Sequence, residues 1–250
     1  MAGMISVEKV SFLFENSKLE IIDDVSFQAN RGEFVSIIGP SGCGKSTLLR
    51  IIAGLIPPST GKVLFGESEI REPNKKLSFV FQDFALLPWL TNLENVKIGL
   101  SRTDMRDDAK DKKATELLDR FGLSGFEDYY PNALSGGMKQ RVGIARSIAS
   151  DPQVLLMDEP FSSLDELTAT SLRSDIVYML ESKNISVNSV IMVTHNVEEA
   201  VELSDKIVVL SDKPTHVKKV LKISGKRPRD RRSRPFIEYM DQIYAILAKD

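Results

Sequence analysis

Short apolar runs alternate with turns over the first sixty residues of the chain. The runs read MISVEKVSFLF, LEIIDDVSFQA and GEFVSIIG, are rich in Val, Ile and Phe, and are broken by Gly or Asn. Such runs predict strands, whereas the spacing of apolar residues in STLLRIIAGL, which ends at Gly54, predicts a helix. A strand, a glycine turn and a helix are therefore expected to meet at residues 39–46.

The pattern changes near residue 85 and changes back near residue 150. The segment between them is polar, and its mixed charges, as in TDMRDDAKDKKATELLDRFGL, indicate a solvated helical insertion. Beyond it, apolar strands alternate with helices in the order QVLLMDEP, LTATSLRSDIVYMLESK, NSVIMVTH, VEEAVEL and KIVVL. Continuously apolar strands that alternate with helices predict an α/β fold with a mainly parallel, covered sheet.

Composition narrows the class of protein. The chain has 250 residues, with 33 Lys and Arg against 35 Asp and Glu, so its net charge of −2 gives no field that attracts nucleic acid or an anionic membrane. Its longest apolar runs, VIMV and IVVL, fall far short of the roughly 20 residues that a membrane-spanning helix needs. The N-terminal residues carry no basic leader, and the only cysteine is Cys43. We therefore expect one compact core, no signal peptide and a reducing, cytoplasmic setting.

The sequence GPSGCGKS fits the phosphate-binding pattern G-x-x-x-x-G-K-S. Its glycines let backbone N–H groups turn toward phosphate, Lys45 reaches the β and γ oxygens, and the Ser46 hydroxyl is a ligand for Mg²⁺. The predicted strand before it and helix after it distinguish this motif from a chance glycine turn. The residues expected to surround the nucleotide are Gly39, Pro40, Ser41, Gly42, Cys43, Gly44, Lys45, Ser46 and Thr47.

Polar residues follow three of the predicted strands. Asp158 and Glu159 end the strand in VLLMDEP, at the edge where α/β sheets bind ligands. With the phosphate-binding loop of residues 39–46 (the P-loop) in the same sheet, Asp158 and Glu159 predict a hydrolytic site. In it Asp158 holds Mg²⁺ and Glu159 polarises the attacking water. His195 ends IMVTH and is a candidate γ-phosphate sensor, although a lone histidine is more often structural. Gln82, after the strand in FVFQDF, carries the weakest signal.

Taken together and in this order, GPSGCGKST, VFQDF, LSGGMKQR, VLLMDEPFSSLD and VTH resemble the nucleotide-binding subunit of ATP-binding cassette (ABC) transporters. The resemblance covers residues 5–215, and LSGG is its most specific motif. It implies a P-loop NTPase core with a mainly parallel sheet, an antiparallel β subdomain and an inserted helical subdomain. One ATPase domain would span residues 1–250, with the core in 1–84 and 151–225, the helical subdomain in 85–150, and a basic tail and helix in 226–250.

The resemblance also explains a second candidate phosphate cradle, in NALSGGMKQRVGIARS. In this family two subunits pack head to tail, so that Ser135, Gly136 and Gly137 of one subunit cap the γ-phosphate held by the P-loop of the other. A helix N-terminus with free N–H groups and a small hydroxyl is a physically sound anion site for that purpose. ATP then holds the dimer together, and hydrolysis releases it.

Catalytic roles follow from the resemblance, position by position. Gln82 would sense both Mg²⁺ and the membrane partner, and His195 would be the switch residue. The catalytic residues implied are Lys45, Gln82, Glu159 and His195. The magnesium ligands implied are Ser46, Gln82 and Asp158.

Two further positions are implied by the family's pattern. Asp165, in SSLD, would communicate across the dimer. Phe14 aligns best with an aromatic residue that stacks on adenine, and Phe12 is the alternative. A phenylalanine stacks but lacks the hydroxyl of the usual tyrosine, and packing in the core is the simpler interpretation of its role.

A narrower resemblance is carried by FALLPWLTNLENV, THNVEEAV and GKRPRDRRS, which look like the importer branch for nitrate, sulfonates, taurine and related solutes. It implies a second ATPase subunit, identical or related, transmembrane permease subunits and, indirectly, a solute-binding protein, on the cytoplasmic face of the membrane. The usual THD reads THN here because of Asn196, a departure that touches no catalytic role. Trp89 would line the groove that receives the permease, or would belong to the core of the helical subdomain.

The basic tail GKRPRDRRSRP has six Lys or Arg among eleven residues. It contains two prolines and no aromatic residue for base stacking, so a solvated charge run is preferred to a contact with nucleic acid or anionic lipid.

Three other classes of protein are disfavoured. Soluble ABC ATPases of nucleic-acid or translation processes carry coiled coils, zinc insertions or paired cassettes, which this sequence does not show. A P-loop kinase or GTPase lacks LSGG, and an exporter's cassette is disfavoured by the lack of a fused membrane region.

Overall fold

The structure is a computed structural model and describes residues 4–14, 20–181 and 186–248. The first residue of the second predicted strand, Leu19, and the end of the helix predicted through Lys183 lie outside these ranges. The strands are β1 Ile5–Leu13, β2 Glu20–Ala29, β3 Phe34–Ile38, β4 Thr60–Phe65, β5 Ser68–Glu69, β6 Leu77–Val80, β7 Val154–Asp158, β8 Ser189–Val193, β9 Lys206–Leu210 and β10 Val217–Lys222. The helices are α1 Lys45–Ile52, α2 Asn92–Ile98, α3 Asp107–Arg120, α4 Gly136–Ile148, α5 Glu166–Glu181, α6 Val197–Leu203 and α7 Arg234–Leu247.

The chain forms two compact units. The first unit comprises Met1–Asn74 and Asn188–Asp250, and the second comprises Lys75–Val187. The first therefore holds β1 to β5, α1 and everything from β8 onward, whereas the second holds β6, β7 and α2 to α5. No helix of the described ranges is long and apolar enough to cross a membrane.

An antiparallel sheet in the order β2-β1-β4-β5 belongs to the first unit. Ile5 of β1 lies opposite Ala29 of β2 and Phe65 of β4, and the register of β1 shifts farther along, around Lys9. Gly61 of β4 faces this irregularity, where a Cβ would overlap the backbone of Lys9 and where the φ of Gly61 is +77°. The β subdomain that the resemblance implies is therefore present.

Strands β3, β8 and β9 of the first unit run parallel, with β3 between the other two, and β10 joins β9 antiparallel. Every residue of β3, β8 and β9 is buried, which explains why their sequences are mostly apolar rather than alternating. Helices α6 and α7 contribute Val201 and Phe236 to one buried cluster with Ile207 of β9. The predicted α/β fold with a mainly parallel sheet is confirmed.

The second unit combines a short parallel strand pair with helices. Leu77 of β6 lies opposite Val154 of β7, and all five residues of β7 are buried. Residues 85–150 contain α2, α3, α4 and a 3₁₀ turn at Pro131–Ala133. Helices α2 and α4 approach so closely that a Cβ on Gly99 would overlap the carbonyl oxygen of Arg146. This contact packs the C-terminal turn of α4 against α2, and LSGG lies at the opposite end of α4.

Candidate nucleotide-binding and catalytic site

The P-loop joins the buried strand β3 to helix α1. Gly42 and Gly44 have φ values of +78° and +111°, in the left-handed region that costs glycine least. A Cβ on Gly44 would also lie 2.7 Å from Cγ2 of Ile21. Glycine is therefore required at residue 44 both by the backbone conformation and by the space that β2 leaves.

Lys45 is the first residue of α1, and only 5% of it is exposed. Its Nζ donates hydrogen bonds to the carbonyl oxygens of Gly39, at 3.0 Å, and Pro40, at 2.8 Å. These bonds hold the ammonium inside the loop, beside the N–H groups of the first turn of α1. Positive charge and free amides at a helix N-terminus form an anion site, as the motif predicts. Ser46 and Thr47 follow in that turn, both half-buried.

Cys43 contributes to the loop through its backbone, because its side chain is fully buried. Burial raises the pKa of the Cys43 thiol, against the opposing effect of the nearby Lys45 ammonium. The carbonyl oxygen of Cys43 accepts a hydrogen bond from the hydroxyl of Thr215, which is itself fully buried. Thr215 also donates its amide to the carbonyl oxygen of Ile21 at 2.9 Å. Thr215 thus holds the P-loop at Cys43, a role that no pattern in the surrounding sequence predicts.

His195 follows β8 and is exposed. Since β3 and β8 run parallel, with Ile37 opposite Val193, His195 and the P-loop emerge at the same edge of the sheet. The preceding Thr194 is buried and donates its hydroxyl to Oε2 of Glu199 at 2.7 Å. Both neighbours of His195 are therefore held in place. This bond ties Thr194 to α6, and Asn196 caps the same helix.

Asn196 is the N-cap of α6. Its Oδ1 accepts hydrogen bonds from the amides of Glu198, at 2.9 Å, and Glu199, at 3.3 Å. Asn and Asp are equally good N-caps, so THN and THD give the same local structure.

Asp158 and Glu159 lie at the carboxyl end of β7, in the second unit. Asp158 is 3% exposed, and Glu159 adopts a left-handed backbone with φ of +46°. The carbonyl oxygen of Glu159 accepts hydrogen bonds from the amide of Ser162, at 3.3 Å, and from its hydroxyl, at 3.0 Å. These bonds hold a conformation that costs a non-glycine residue about 1–2 kcal/mol. Strain of this kind is typical of functional positions.

Gln82 is exposed and lies at the same edge of its strand pair as the two acids. Strands β6 and β7 are parallel with Val80 opposite Met157, so Gln82 and Glu159 leave the pair at equivalent positions. The sequence prediction that placed both at a strand end is consistent with this register.

The segment after Gln82 is bound to α4. Phe84 and Ala85 have positive φ values of 62° and 44°, and their carbonyl oxygens accept hydrogen bonds from the guanidinium of Arg146, at 2.5 and 2.7 Å. Burial lowers the pKa of Arg146, which the nearby carboxylate of Asp83 opposes. Arg146 lies in the last turn of α4, so its hydrogen bonds tie the segment after Gln82 to this helix. Sequence reasoning missed Arg146, because its partners are backbone atoms distant in sequence.

The LSGG motif forms the N-terminus of α4. Ser135 is the N-cap, exposed, with its Oγ accepting a hydrogen bond from the amide of Met138 at 3.3 Å. Gly136 is exposed as well, and no acidic residue occupies the first turn. Ser135 and Gly136 are therefore exposed at the N-terminus of a 13-residue helix, an arrangement that favours an anion.

Gly137 packs against Thr168, the residue that is hydrogen-bonded to Asp165. A Cβ on Gly137 would overlap Cγ2 of Thr168 in the first turn of α5. Asp165 accepts hydrogen bonds from the amide of Thr168, at 3.0 Å, and from its hydroxyl, at 2.6 Å. The hydroxyl and amide of Thr168 lower the pKa of Asp165. Thr168, which the sequence did not single out, thus contacts both Gly137 of the LSGG turn and Asp165, two residues predicted to act in the dimer.

Phe14 lies just beyond β1 and is 50% exposed. Its ring meets that of Phe12 edge to face, with centroids 5.1 Å apart. Phe14 is therefore not a core residue, which removes the simpler interpretation for this position. Phe12 is partly buried and packs beneath it.

The donor atoms fit magnesium. The residues named as ligands offer a hydroxyl, an amide oxygen and a carboxylate, on Ser46, Gln82 and Asp158. Mg²⁺ takes hard oxygen ligands, usually one or two carboxylates with several waters and phosphate oxygens. No group of three or more His, Cys, Asp or Glu that could hold a metal by itself occurs in the described ranges.

Comparison with known proteins agrees with this geometry. A model of the ABC transporter family matches residues 22–162. An uncharacterized ABC transporter ATP-binding protein of Methanocaldococcus jannaschii is 43% identical over 99% of this chain and 92% of its own length. The aliphatic sulfonates import ATP-binding protein SsuB of Bacillus cereus is 40% identical over 96% of this chain and 94% of its own length.

A solved structure extends the similarity to three dimensions. It is a dimeric ATP-binding cassette in a post-hydrolysis state, bound to ADP and Pi. It shares 34% identity with this chain at a TM-score of 0.77, covering 89% of this chain and 100% of that one. The chain therefore belongs to the ABC transporter family, in which it is an ATP-binding subunit that hydrolyses ATP.

Proposed function

We propose that this chain is the energy-coupling ATPase of an uptake transporter for a small solute such as nitrate, a sulfonate or taurine. Similarity to a sulfonate-import ATP-binding protein over almost the whole chain supports the import role. Two phosphate-binding turns, the P-loop around Lys45 and the N-terminus of α4 at Ser135, support the mechanism. ATP binding joins two subunits, and hydrolysis separates them.

Each residue of the predicted site has one task in hydrolysis. Lys45 and the P-loop amides bind the β- and γ-phosphates. Ser46, Gln82 and Asp158 would hold Mg²⁺, which would neutralise charge on the phosphate oxygens. Glu159 accepts the proton of the attacking water, and its fixed left-handed backbone aims the carboxylate. Gln82 orients the water and ligands of the metal, and His195 stabilises the γ-phosphate as it departs.

The exposed N-terminus of α4 is the observation that carries the dimer proposal. Ser135 and Gly136 face solvent at the positive end of the helix, with no carboxylate in the first turn to satisfy it. This end of the helix favours an anion, and the γ-phosphate of ATP held by a second subunit would supply one. Two such subunits packed head to tail would each complete the other's site, with Phe14 stacked on adenine and Asp165 relaying the state of one site to the other.

The partners follow from the proposed role. Transmembrane permease subunits would carry the solute, a solute-binding protein would deliver it, and this subunit would lie on the cytoplasmic face of the membrane. The choice of solute would rest with those partners rather than with the ATPase.

The dimer proposal is tested by ATP-driven association of the Glu159→Gln variant, in which hydrolysis is stalled. Light scattering after size exclusion should give a dimer mass with ATP and Mg²⁺ and a monomer mass without them. Adding Ser135→Arg should abolish the dimer, because a bulky cation replaces the small hydroxyl beside the γ-phosphate. Ser101→Arg, at an exposed position after α2, is the matched control and should leave the dimer intact.

Two results would contradict this mechanism. One is an ATP-dependent dimer that Ser135→Arg leaves unchanged, because the α4 turn would then lie outside the interface. The other is equal loss of the dimer with Ser101→Arg, because added charge alone would then explain the effect.

A loop in the second unit supports docking of a permease. Asn95 of α2 is fully buried and its side chain makes four hydrogen bonds to the loop before it, accepting from the amide of Leu87 and donating to the carbonyl oxygens of Leu87, Leu90 and Thr91. Trp89, at the middle of this loop, is 69% exposed. A rigid backbone thus presents a large apolar ring to solvent, as expected of a contact residue for another protein rather than of a core residue.

Replacing Trp89 with Ser should therefore prevent retention of a permease. Detergent extracts of the source membranes are passed over the immobilised protein, and retained polytopic membrane proteins are identified by mass spectrometry. The control is Tyr178→Ser, which removes another aromatic ring, 76% exposed on α5. We expect one membrane protein to bind wild type and Tyr178→Ser and to be lost with Trp89→Ser. Equal retention by all three proteins would exclude Trp89 from the docking surface.

A further inference from the structure

The basic tail does not form the solvated charge run that the sequence predicts. Arg227, Arg229 and Arg231 all contact groups of the first unit, whereas Lys226 and Arg232 are exposed. The contacts concentrate on α6, the seven-residue helix that begins two residues after His195. We call Arg229 and Arg231, with the parts of α6 that they bind, the arginine clasp.

Arg229 caps the C-terminus of α6. Only 9% of this residue is exposed, and burial lowers its pKa despite the nearby carboxylate of Asp205. Its amide also donates to the carbonyl oxygen of Glu202 at 3.1 Å. Its guanidinium donates five hydrogen bonds of 2.9 to 3.3 Å, all to backbone carbonyl oxygens, which are those of Val201, Glu202, Ile223, Ser224 and Gly225. Two of these belong to the last turn of α6, where carbonyl groups lack partners within the helix.

Arg231 binds the outer face of the same helix. Its Nε and Nη2 both donate to Oε2 of Glu202, at 3.0 and 2.7 Å, and its Nη1 donates to Oε2 of Glu198 at 3.2 Å. Glu198 and Glu202 are four residues apart, so they lie on one face of α6, one turn above the other. One guanidinium thus spans both turns of the helix and fixes its rotation about its axis.

A helix this short needs such support. Seven residues are too few for a helix to be stable on its own in water, so its position depends on what it packs against. The inner face of α6 packs in the core through Val197, Ala200 and Val201. Arg229 and Arg231 supply the polar contacts at its C-terminus and outer face.

The N-terminus of α6 is coupled directly to His195. Asn196 caps the helix, and Thr194 donates its hydroxyl to Glu199 in the first turn. His195 therefore lies between two residues that are both hydrogen-bonded to α6. A rotation or slide of the helix would move the imidazole relative to the P-loop, which emerges at the same edge of the sheet.

We propose that the arginine clasp is a positioning device for His195: by fixing the short helix α6, Arg231 and Arg229 hold the switch histidine where it acts on the γ-phosphate of ATP. The proposal rests on the proposed role of His195 in hydrolysis. Arg231 acts through α6, so it is a positioning residue that sets the rate of hydrolysis and leaves ATP binding to the P-loop.

A third arginine of the tail, Arg227, links it to the strand before the P-loop. Asp205, which follows α6, lies 3.4 Å from Nη1 of Arg227, and its Oδ2 accepts a hydrogen bond from the amide of Phe34 at 2.8 Å. Phe34 is the first residue of β3. The tail thus braces both elements of the first unit that are expected to contact phosphate.

The test compares Arg231→Gln with Arg231→Lys and with the control Arg234→Gln. Arg234 is the matched control because it also forms an Arg–Glu pair in the tail, with Glu238 at 2.8 Å, but on the exposed surface of α7. We expect Arg231→Gln to lower kcat about fivefold and to leave KM for ATP within about twofold, since a partly exposed ion-pair network couples at this level. Arg231→Lys, which keeps the charge, should recover part of the rate, and Arg234→Gln should match wild type.

A second readout does not depend on catalysis. Hydrogen exchange measured by mass spectrometry should be faster in the peptide covering residues 194–203 of Arg231→Gln, and unchanged in Arg234→Gln. Wild-type kcat in Arg231→Gln would overturn the proposal whatever the exchange result, and so would an equal loss in Arg234→Gln. A wild-type protein without ATPase activity would instead overturn the proposed function, and exchange would still decide whether Arg231 orders the His195 turn.

Discussion

Replacing Glu159 with Gln should lower kcat for ATP hydrolysis by about a hundredfold or more, because general-base catalysis typically contributes 10²- to 10⁴-fold. The amide cannot accept the proton of the attacking water, but it has nearly the same shape as the carboxylate. The P-loop is untouched, so ATP affinity should stay within about twofold of wild type. Single-turnover release of phosphate and equilibrium binding of a fluorescent ATP analogue separate the two effects.

The left-handed backbone of Glu159 provides a control for this experiment. Glycine adopts a φ of +46° without the cost of about 1–2 kcal/mol that a side chain incurs. Glu159→Gly should therefore be inactive like Glu159→Gln and should unfold at the same or a higher temperature than wild type. Hydrolysis at the wild-type rate in Glu159→Gln would exclude Glu159 as the base. A lower unfolding temperature in Glu159→Gly would show that the carboxylate contributes to stability and not only to catalysis.

Replacing Gly137 with Ala should destabilise the protein by about 1–3 kcal/mol, the usual cost of overpacking, and should prevent the ATP-driven dimer. The new methyl group would overlap Cγ2 of Thr168 and push α4 and α5 apart at the LSGG turn. The backbone of Gly137 is helical, so the expected loss comes from the clash and not from a lost backbone conformation. Thermal unfolding and light scattering in the Glu159→Gln background measure the two effects.

A second substitution should reverse the loss. Thr168→Ser removes Cγ2 and keeps the hydroxyl that donates to Asp165, so Gly137→Ala with Thr168→Ser should recover both stability and the dimer. The next atom of Thr168 lies 3.6 Å from the position that the new methyl group would take, an ordinary contact distance. Failure of the double variant to recover, with Thr168→Ser itself stable, would mean that Gly137 serves the nucleotide directly rather than through packing.

The sequence predicted the parts of this protein whose physics is local. The P-loop glycines, the buried strands β3, β7 and β8, and the polar residues at their ends follow from patterns that span about ten residues each. Register then brings His195 to the edge of the P-loop and Gln82 to that of Glu159 without any further signal. Periodicity therefore sufficed for the fold class, and the motifs sufficed for the family.

The residues that hold the motifs in place could not be predicted in the same way. Thr215, Arg146 and Thr168 act through backbone atoms or methyl groups far from them in sequence, and threonine and arginine are common in loops and on helix surfaces. The contacts of the basic tail could not be predicted from local patterns either. Its composition indicates a solvated segment, and only the carbonyl groups at the end of α6 reveal where Arg229 lies.

The burial of Cys43 has a practical consequence for measuring motion in this protein. Its thiol is the only one in the chain, its side chain is fully buried although it belongs to the P-loop, and burial raises its pKa. The thiolate is the reactive form, so alkylating dyes and spin labels would react far more slowly there than at a cysteine introduced on the surface. Probes can therefore be attached at introduced surface cysteines in the natural sequence background, with the phosphate loop left as it is, and the distance between two labelled copies of the proposed dimer can be followed through one cycle of ATP turnover.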